Sequence, residues 1–156
     1  MTLSRRLARP LLSSIFVCGG IDALRNPRSK VPSAEKVVTP LSGRLPLPAD
    51  TKMVVQANAA VQVGAGLLLA AGKAPRLASL ALVASLVPTT LAGHRFWEEN
   101  EPQAKSGQQI HFLKNLSLIG GLLVAAFDTE GSPSLGYRAR KRASRVGGAA
   151  ASVLPS

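Results

Sequence analysis

The feature that most constrains this chain is the recurrence of apolar stretches of near-bilayer length with almost no charge inside them. Crossing ~30 Å of hydrocarbon takes about 20 helical residues. Every backbone amide there must be satisfied within the segment, which leaves the α-helix as the natural form for each stretch. Pro10 to Leu24 follows Arg5, Arg6 and Arg9 and meets no charge before Asp22, and Leu7, Ala8 and a snorkelling Arg9 extend it toward spanning length. Thr51 to Ala71 is uncharged after Lys52, with Asp50 or Thr51 placed to cap it. A third stretch begins at Ala74, where Pro75 suits the first helical position and Pro88 is expected to kink the far end. Gln108 to Phe127 is the fourth. The expectation is an all-α polytopic membrane four-helix bundle. Its spans lie at about 7–24, 51–71, 74–93 and 108–127 of a domain covering 1–137, followed by a basic tail, 138–156, expected to be disordered.

Composition supports a lipid solvent. Hydrophobic residues make up 46% of the chain but aromatics only 4%, so the apolar content is mostly Ala, Leu and Val. Charged residues are 17%, below the roughly one quarter of soluble domains, and they fall in blocks between the apolar stretches. The net charge of +11 raises the question of nucleic acid, but the cations form no stripe interleaved with aromatics and the expectation is no nucleic-acid partner. A cleaved signal peptide competes with the first span, since a basic start before a short apolar run fits both. Against it, no clean small-x-small cleavage site follows, and Val17 before Cys18 is large for a lipoprotein site. An acid-free start also permits an organelle transit peptide. Cys18 is the only cysteine, which excludes an intrachain disulfide and a multi-cysteine metal cage.

Residues 25–50 hold Pro27, Pro32, Pro40, Pro46 and Pro48 and read as a loop, with one or two amphipathic turns at Ser33 to Leu41 capped by Ser33. Residues 93–107 are polar and acidic and must lie outside the hydrocarbon. An even number of spans puts both termini and the Lys73 turn on one side. That side holds Arg5, Arg6, Arg9, Lys73, Arg76, Arg138, Arg140, Lys141, Arg142 and Arg145, opposed by Asp128 and Glu130. The other nine basic residues face six acids and lie largely on the long first loop, so both termini are read as cytoplasmic.

Polar residues inside spans are the site candidates. Asn58, Gln62, Gly66 and Ala70 recur every four residues on one helical stripe, which suits either close helix packing or a polar pocket for a quinone head group or small substrate. Lys114, Ser117, Gly121, Ala125 and Asp128 fall on a second stripe expected to face protein, with Phe112, Leu116, Leu123 and Phe127 facing lipid and Lys114 and Asp128 anchoring opposite interfaces. Ser14, Cys18 and Asp22 form a third, where a lone Cys most often behaves as a small hydrophobe. Trp97 suits an interfacial anchor. His94 and Glu98 lie four apart and with His111 pose the question of a shared metal or proton; two His and one carboxylate are too common a set, and no metal site is assigned. Phosphate loops, nucleophile triads and dinucleotide fingerprints do not occur.

The segment Val87-Pro88-Thr89-Thr90-Leu91-Ala92-Gly93-His94-Arg95-Phe96-Trp97, then His111-Phe112-Leu113-Lys114-Asn115-Leu116 and Gly120-Gly121, closely resembles the DoxX family. Asn58, Ala60, Gln62, Gly64 and Gly66 resemble its second span, and the ending Asp128, Thr129, Gly131, Pro133 and Ser134 is similar to actinobacterial members, so the resemblance runs from about Arg5 to Arg142. It implies a four-helix bacterial plasma-membrane protein related to the small membrane subunit of thiosulfate:quinone oxidoreductase. Members linked to a function act as membrane partners of redox or thiol-stress enzymes, without an agreed set of catalytic residues. Two functions follow as expectations. The first is an accessory or scaffold subunit, not catalytic alone, that recruits a soluble or membrane redox enzyme through its basic tail and acidic outer loop, with an oligomer compatible. The second is a quinone-interacting small subunit of an oxidoreductase, with His94, Lys114 and Asn115 lining a head-group site and Asn58 and Gln62 as further polar candidates; quinone is then the cofactor. A solute transporter lacks the discontinuous helix pairs and repeated halves that would support it.

Overall fold

Four long apolar helices and one short amphipathic helix make up the computed structural model, which describes residues 3–43, 48 and 50–128. The tail at 138–156 and the stretch from Thr129 to Ser134 lie outside the described residues. Helix α1 runs Leu3–Arg25, α2 Val31–Ser42, α3 Thr51–Ala70, α4 Pro75–Gly93 and α5 Pro102–Phe127, with short 3₁₀ turns at Pro27–Ser29 and Phe96–Glu98. At 1.5 Å per residue the twenty residues of α3 cover about 30 Å, and α1 and α5 are longer. The chain is a membrane protein: its four long helices have spanning length and apolar composition, and large side chains such as Leu67, Leu77, Leu80, Val87, Ile110 and Leu116 point outward.

Local chemistry sets the helix boundaries. Asp50 caps α3, its carboxylate accepting from the Lys52 amide at 2.9 Å. Between α3 and α4, Gly72 (φ 69°) and Ala74 (φ 46°) both take left-handed backbone, and the Lys73 amide donates to Leu68 O at 2.9 Å. Carbonyls at the end of α3 are thereby satisfied, and Pro75 starts α4 where no helical amide is needed. Helix α4 continues through Pro88 to Gly93. Pro88 cannot donate to the preceding turn, and the adjacent hydroxyls add donors there: Thr89 Oγ1 bonds Leu86 O at 2.9 Å and Thr90 Oγ1 the same carbonyl at 2.7 Å.

Two departures from the sequence reading have clear causes. Residues 31–42 form a three-turn helix, not one or two turns, and Ser33 is not its cap: the helix starts two residues earlier with Pro32 in its first turn, where proline is tolerated, and Pro40 only in its last. Its apolar positions Val31, Ala34, Val37, Val38 and Leu41 follow helical spacing. Second, Pro102 also starts a helix, so α5 extends about two turns into the polar connection before Gln108.

The helices meet in the order α1, α3, α4, α5, with α1 closing weakly on α5 and α2 resting on the outer parts of α3 and α4. Phe16, Ala65, Leu69, Ala78, Leu82, Leu86 and Leu122 form the buried core. The α1–α3 seam is the tightest. A Cβ on Gly20 would stand 2.8 Å from Val63 Cγ2 and 2.9 Å from Ala59 O, and one on Gly66 would stand 2.8 Å from Val17 Cγ2. The stripe of Asn58, Gln62, Gly66 and Ala70 therefore does face protein. The stripe expected on α5 does so only in part: Gly121, Ala125 and Asp128 are half-buried, with Leu12 of α1 beside Gly121, but Lys114 and Ser117 are exposed, and the fully buried residues are Asn115, Leu122 and Ala126. The centre of the buried face is thus displaced by one residue, about 100°, from the expected stripe. Phe112, assigned to lipid, is half-buried and meets Phe96 and Trp97 edge-on at 5.4 and 6.0 Å. On α1, Ser14, Cys18 and Asp22 all point away from the bundle.

Candidate functional site

At the end of the bundle where α3 begins and α4 finishes, the helices diverge and α2 lies across the gap. The result is a cavity of about 580 Å³. Its walls mix two chemistries. Val37 and Val38 of α2 and Val54 and Val55 of α3 supply apolar surface; Asn58, Gln62, Thr89, His94 and Asn115 supply hydrogen-bonding groups, with Lys30 at the α1–α2 turn. Few polar groups against an apolar wall is the composition of a small-molecule site.

Helical period positions the polar set. Asn58 and Gln62 stand one turn apart on the inner face of α3, half-buried, and their amides form no hydrogen bond among the described residues. Asn115 is buried on α5, its Nδ2 donating to Thr90 Oγ1 at 3.1 Å. Thr90 donates in turn to Leu86 O, so the Asn115 amide is held in one orientation across the α4–α5 seam. His94 terminates α4, and its Nδ1 lies 2.8 Å from Gln108 Oε1 on α5. Because a carbonyl oxygen only accepts, Nδ1 is the donor, and in the tautomer that carries its one proton there Nε2 is an acceptor.

Four of the five residues singled out in the sequence, Asn58, Gln62, His94 and Asn115, thus border one cavity. Lys114 does not. It is exposed on α5, and its Nζ lies 3.2 Å from His111 Nδ1, while the His111 ring stacks on His94 with centroids 5.2 Å apart. His94 and His111 do come together, but Glu98 turns elsewhere: Arg95 Nη1 reaches it at 2.6 Å and Lys36 Nζ at 3.1 Å. Hydrogen bonds from Arg95 first, then Lys36, hold the Glu98 carboxyl below the usual carboxylate range. Arg95 Nη2 also donates to Lys36 O at 3.1 Å, tying α2 to the end of α4. Among the described residues no group of three His, Cys, Asp or Glu is placed to hold a metal.

Sequence reasoning missed Lys30, Ser33 and the α2 wall of the cavity. The signal was present in the spacing of Val31, Ala34, Val37 and Val38, but the proline count outweighed it.

The DoxX family model matches residues 5–95, from the first turn of α1 through the end of α4, which includes Asn58, Gln62 and His94 and stops short of Lys114 and Asn115. No curated protein and no solved structure matches the chain. With more than half its length matched and four apolar helices of spanning length, the chain belongs to the DoxX family of membrane proteins.

Proposed function

We propose that this protein is an accessory subunit of a membrane redox or thiol-stress complex and that its outer cavity receives a quinone head group. The observation that carries this reading is the convergence of Asn58, Gln62, His94 and Asn115 on one partly apolar cavity at the edge of the bundle. A quinone head group presents two carbonyl oxygens, and amide N–H groups are their natural donors. A hydroquinone presents hydroxyls, for which the His94 Nε2 is an acceptor. The chain binds and orients; electrons come from the partner oxidoreductase. Lys114 belongs outside this site. Of the two functions expected from the sequence, the cavity favours the quinone-interacting one, and it leaves the recruiting role of the tail at 138–156 as a compatible second part.

We place the protein in the bacterial plasma membrane with both termini cytoplasmic, because the ends of α1, α4 and α5 that meet around Asp128 carry Arg5, Arg9 and Arg76. The test of the cavity is photolabelling of the full-length protein in nanodiscs with an azido-quinone. Labelling should map to α3, α4 or α5 beside Asn58, His94 or Asn115. It should fall at least about tenfold in the Asn58→Leu, Gln62→Leu double variant, the loss of two neutral hydrogen bonds, and stay unchanged in Lys114→Ala. Labelling that ignores the double change sinks the head-group site.

A further inference from the structure

The opposite end of the bundle carries a second polar constellation that the cavity does not use. Arg5 of α1 grips Asp128 with two hydrogen bonds, Nε to Oδ2 at 2.7 Å and Nη2 to Oδ1 at 2.9 Å. Arg9, one turn further along α1 and 5% exposed, brings Nη2 to 4.0 Å from the same carboxylate. Arg76 of α4 donates to Asp128 O at 3.4 Å. The starts of α1 and α4 thus bring three guanidinium groups to one residue at the end of α5. Among the described residues this end of the molecule carries Arg5, Arg6, Arg9, Lys73 and Arg76 against a single acid, Asp128.

A structural clamp needs one cation for one carboxylate, and Arg5 already supplies it, so the spare donors of Arg5 and Arg76 ask for an anion. Arg5 uses two of its five N–H donors on Asp128, and its others, like those of Arg76, make no further bond among the described residues. The surroundings say which kind of anion. Leu3, Leu11, Leu77, Val124 and Phe127 are each 72–74% exposed, and each lies within four residues of Arg5, Arg9, Arg76 or Asp128; no other large apolar side chain among the described residues is as exposed. Guanidinium groups bordered by the most outward apolar side chains of the molecule match an ion whose phosphate and acyl chains are joined.

We propose that the Arg5, Arg9 and Arg76 cluster is a binding site for an anionic phospholipid. The phosphate bridges Arg5 and Arg76, whose planar forks suit phosphate oxygens, and the acyl chains run along Leu11, Leu77 and Val124. Asp128 holds the guanidinium groups in place before the lipid arrives.

The test uses the full-length protein in mild detergent, titrated with phosphatidylglycerol, phosphatidylcholine or inorganic phosphate and read by native mass spectrometry and thermal shift. Phosphatidylglycerol should bind and raise the melting temperature, while phosphatidylcholine and millimolar phosphate should not. Arg76→Gln and Arg5→Gln should each weaken phosphatidylglycerol about fivefold. Should Arg5→Gln lose helical circular dichroism, Arg76→Gln carries the test, because its contact with Asp128 is a single 3.4 Å bond to the backbone carbonyl rather than to the carboxylate. The basic stretch at 138–145 would draw the same lipid without either arginine, so binding unchanged in both variants overturns the site. Equal response to the zwitterionic lipid overturns it too, and equal protection by inorganic phosphate replaces the lipid with a free anion.

Discussion

Glycine positions on α1 and α3 behave differently although the residues are the same. At Gly20 an added Cβ would press on a backbone oxygen, Ala59 O, as well as on Val63, and backbone cannot swing aside. At Gly64, next to Val63 in α3 but on the outward face, nothing lies within 4 Å. Gly20→Ala is therefore expected to destabilise the bundle by about 1–3 kcal/mol, an overpacking cost, while Gly64→Ala stays within about 1 kcal/mol of the parent. Thermal unfolding of both variants in the same detergent checks this, and equal melting temperatures would mean that α1 does not lie on α3 at this depth. The contrast could not be read from the sequence, which places glycines but not the partner each one meets. Asn58, Gln62 and Gly66 were legible because their spacing of four puts them on one face regardless of what lies opposite. Asn115 rests on family resemblance rather than on periodicity, and the α5 stripe holds only at Gly121, Ala125 and Asp128, which are half-buried, while Lys114 and Ser117 are exposed.

The short helix α2 shows what governs an element whose propensity is weak. Twelve residues cover about 18 Å, too little to cross the membrane. Two proline residues and a shallow apolar face made it read as a loop with a turn or two. Contacts far away in sequence stabilise it instead: Val37 and Val38 border the cavity, and Lys36 is joined to Glu98 and Arg95 beyond the end of α4. The pH dependence follows from Glu98, whose carboxyl titrates below its unfolded value. Its contribution is present above the ordinary carboxylate pKa and is lost as pH falls through the lowered one, so the window lies below about pH 4. A spin label on the exposed Thr39, in a Cys18→Ala background, should gain mobility on acidification through that window, and Glu98→Gln should show the raised mobility already at pH 7. The loosening is partial because the valine contacts persist. A label equally ordered at pH 3.5 and pH 7, and in Glu98→Gln, would show that the ion pairs do not hold α2. The long helices were legible because spanning length and missing charge survive any tertiary context.

For the whole molecule, the polar clusters fix which helix ends share a face. Arg5, Arg9, Arg76 and Asp128 can meet only if α1 and α4 start where α5 finishes, and Asp22, Lys30, Lys36, Glu98 and His111 all sit at the other end. Lys73 and Gln103 then flank a single crossing, α4, and must lie on opposite sides of the membrane. Native Cys18 is a clean background despite its exposure, since it points outward some 22 Å along α1 from Leu3, against hydrocarbon rather than water. With a membrane-impermeant maleimide applied to intact cells, Gln103→Cys should react, whereas Lys73→Cys and the unmodified chain should not; after permeabilisation Lys73→Cys should react as well. Labelling of both engineered sites in intact cells would mean that α4 does not cross. Labelling of Lys73→Cys alone would keep the crossing and invert it. The arginine cluster would then face outward, and the charge asymmetry that orients the bundle would have to lie in the loops rather than at the helix ends.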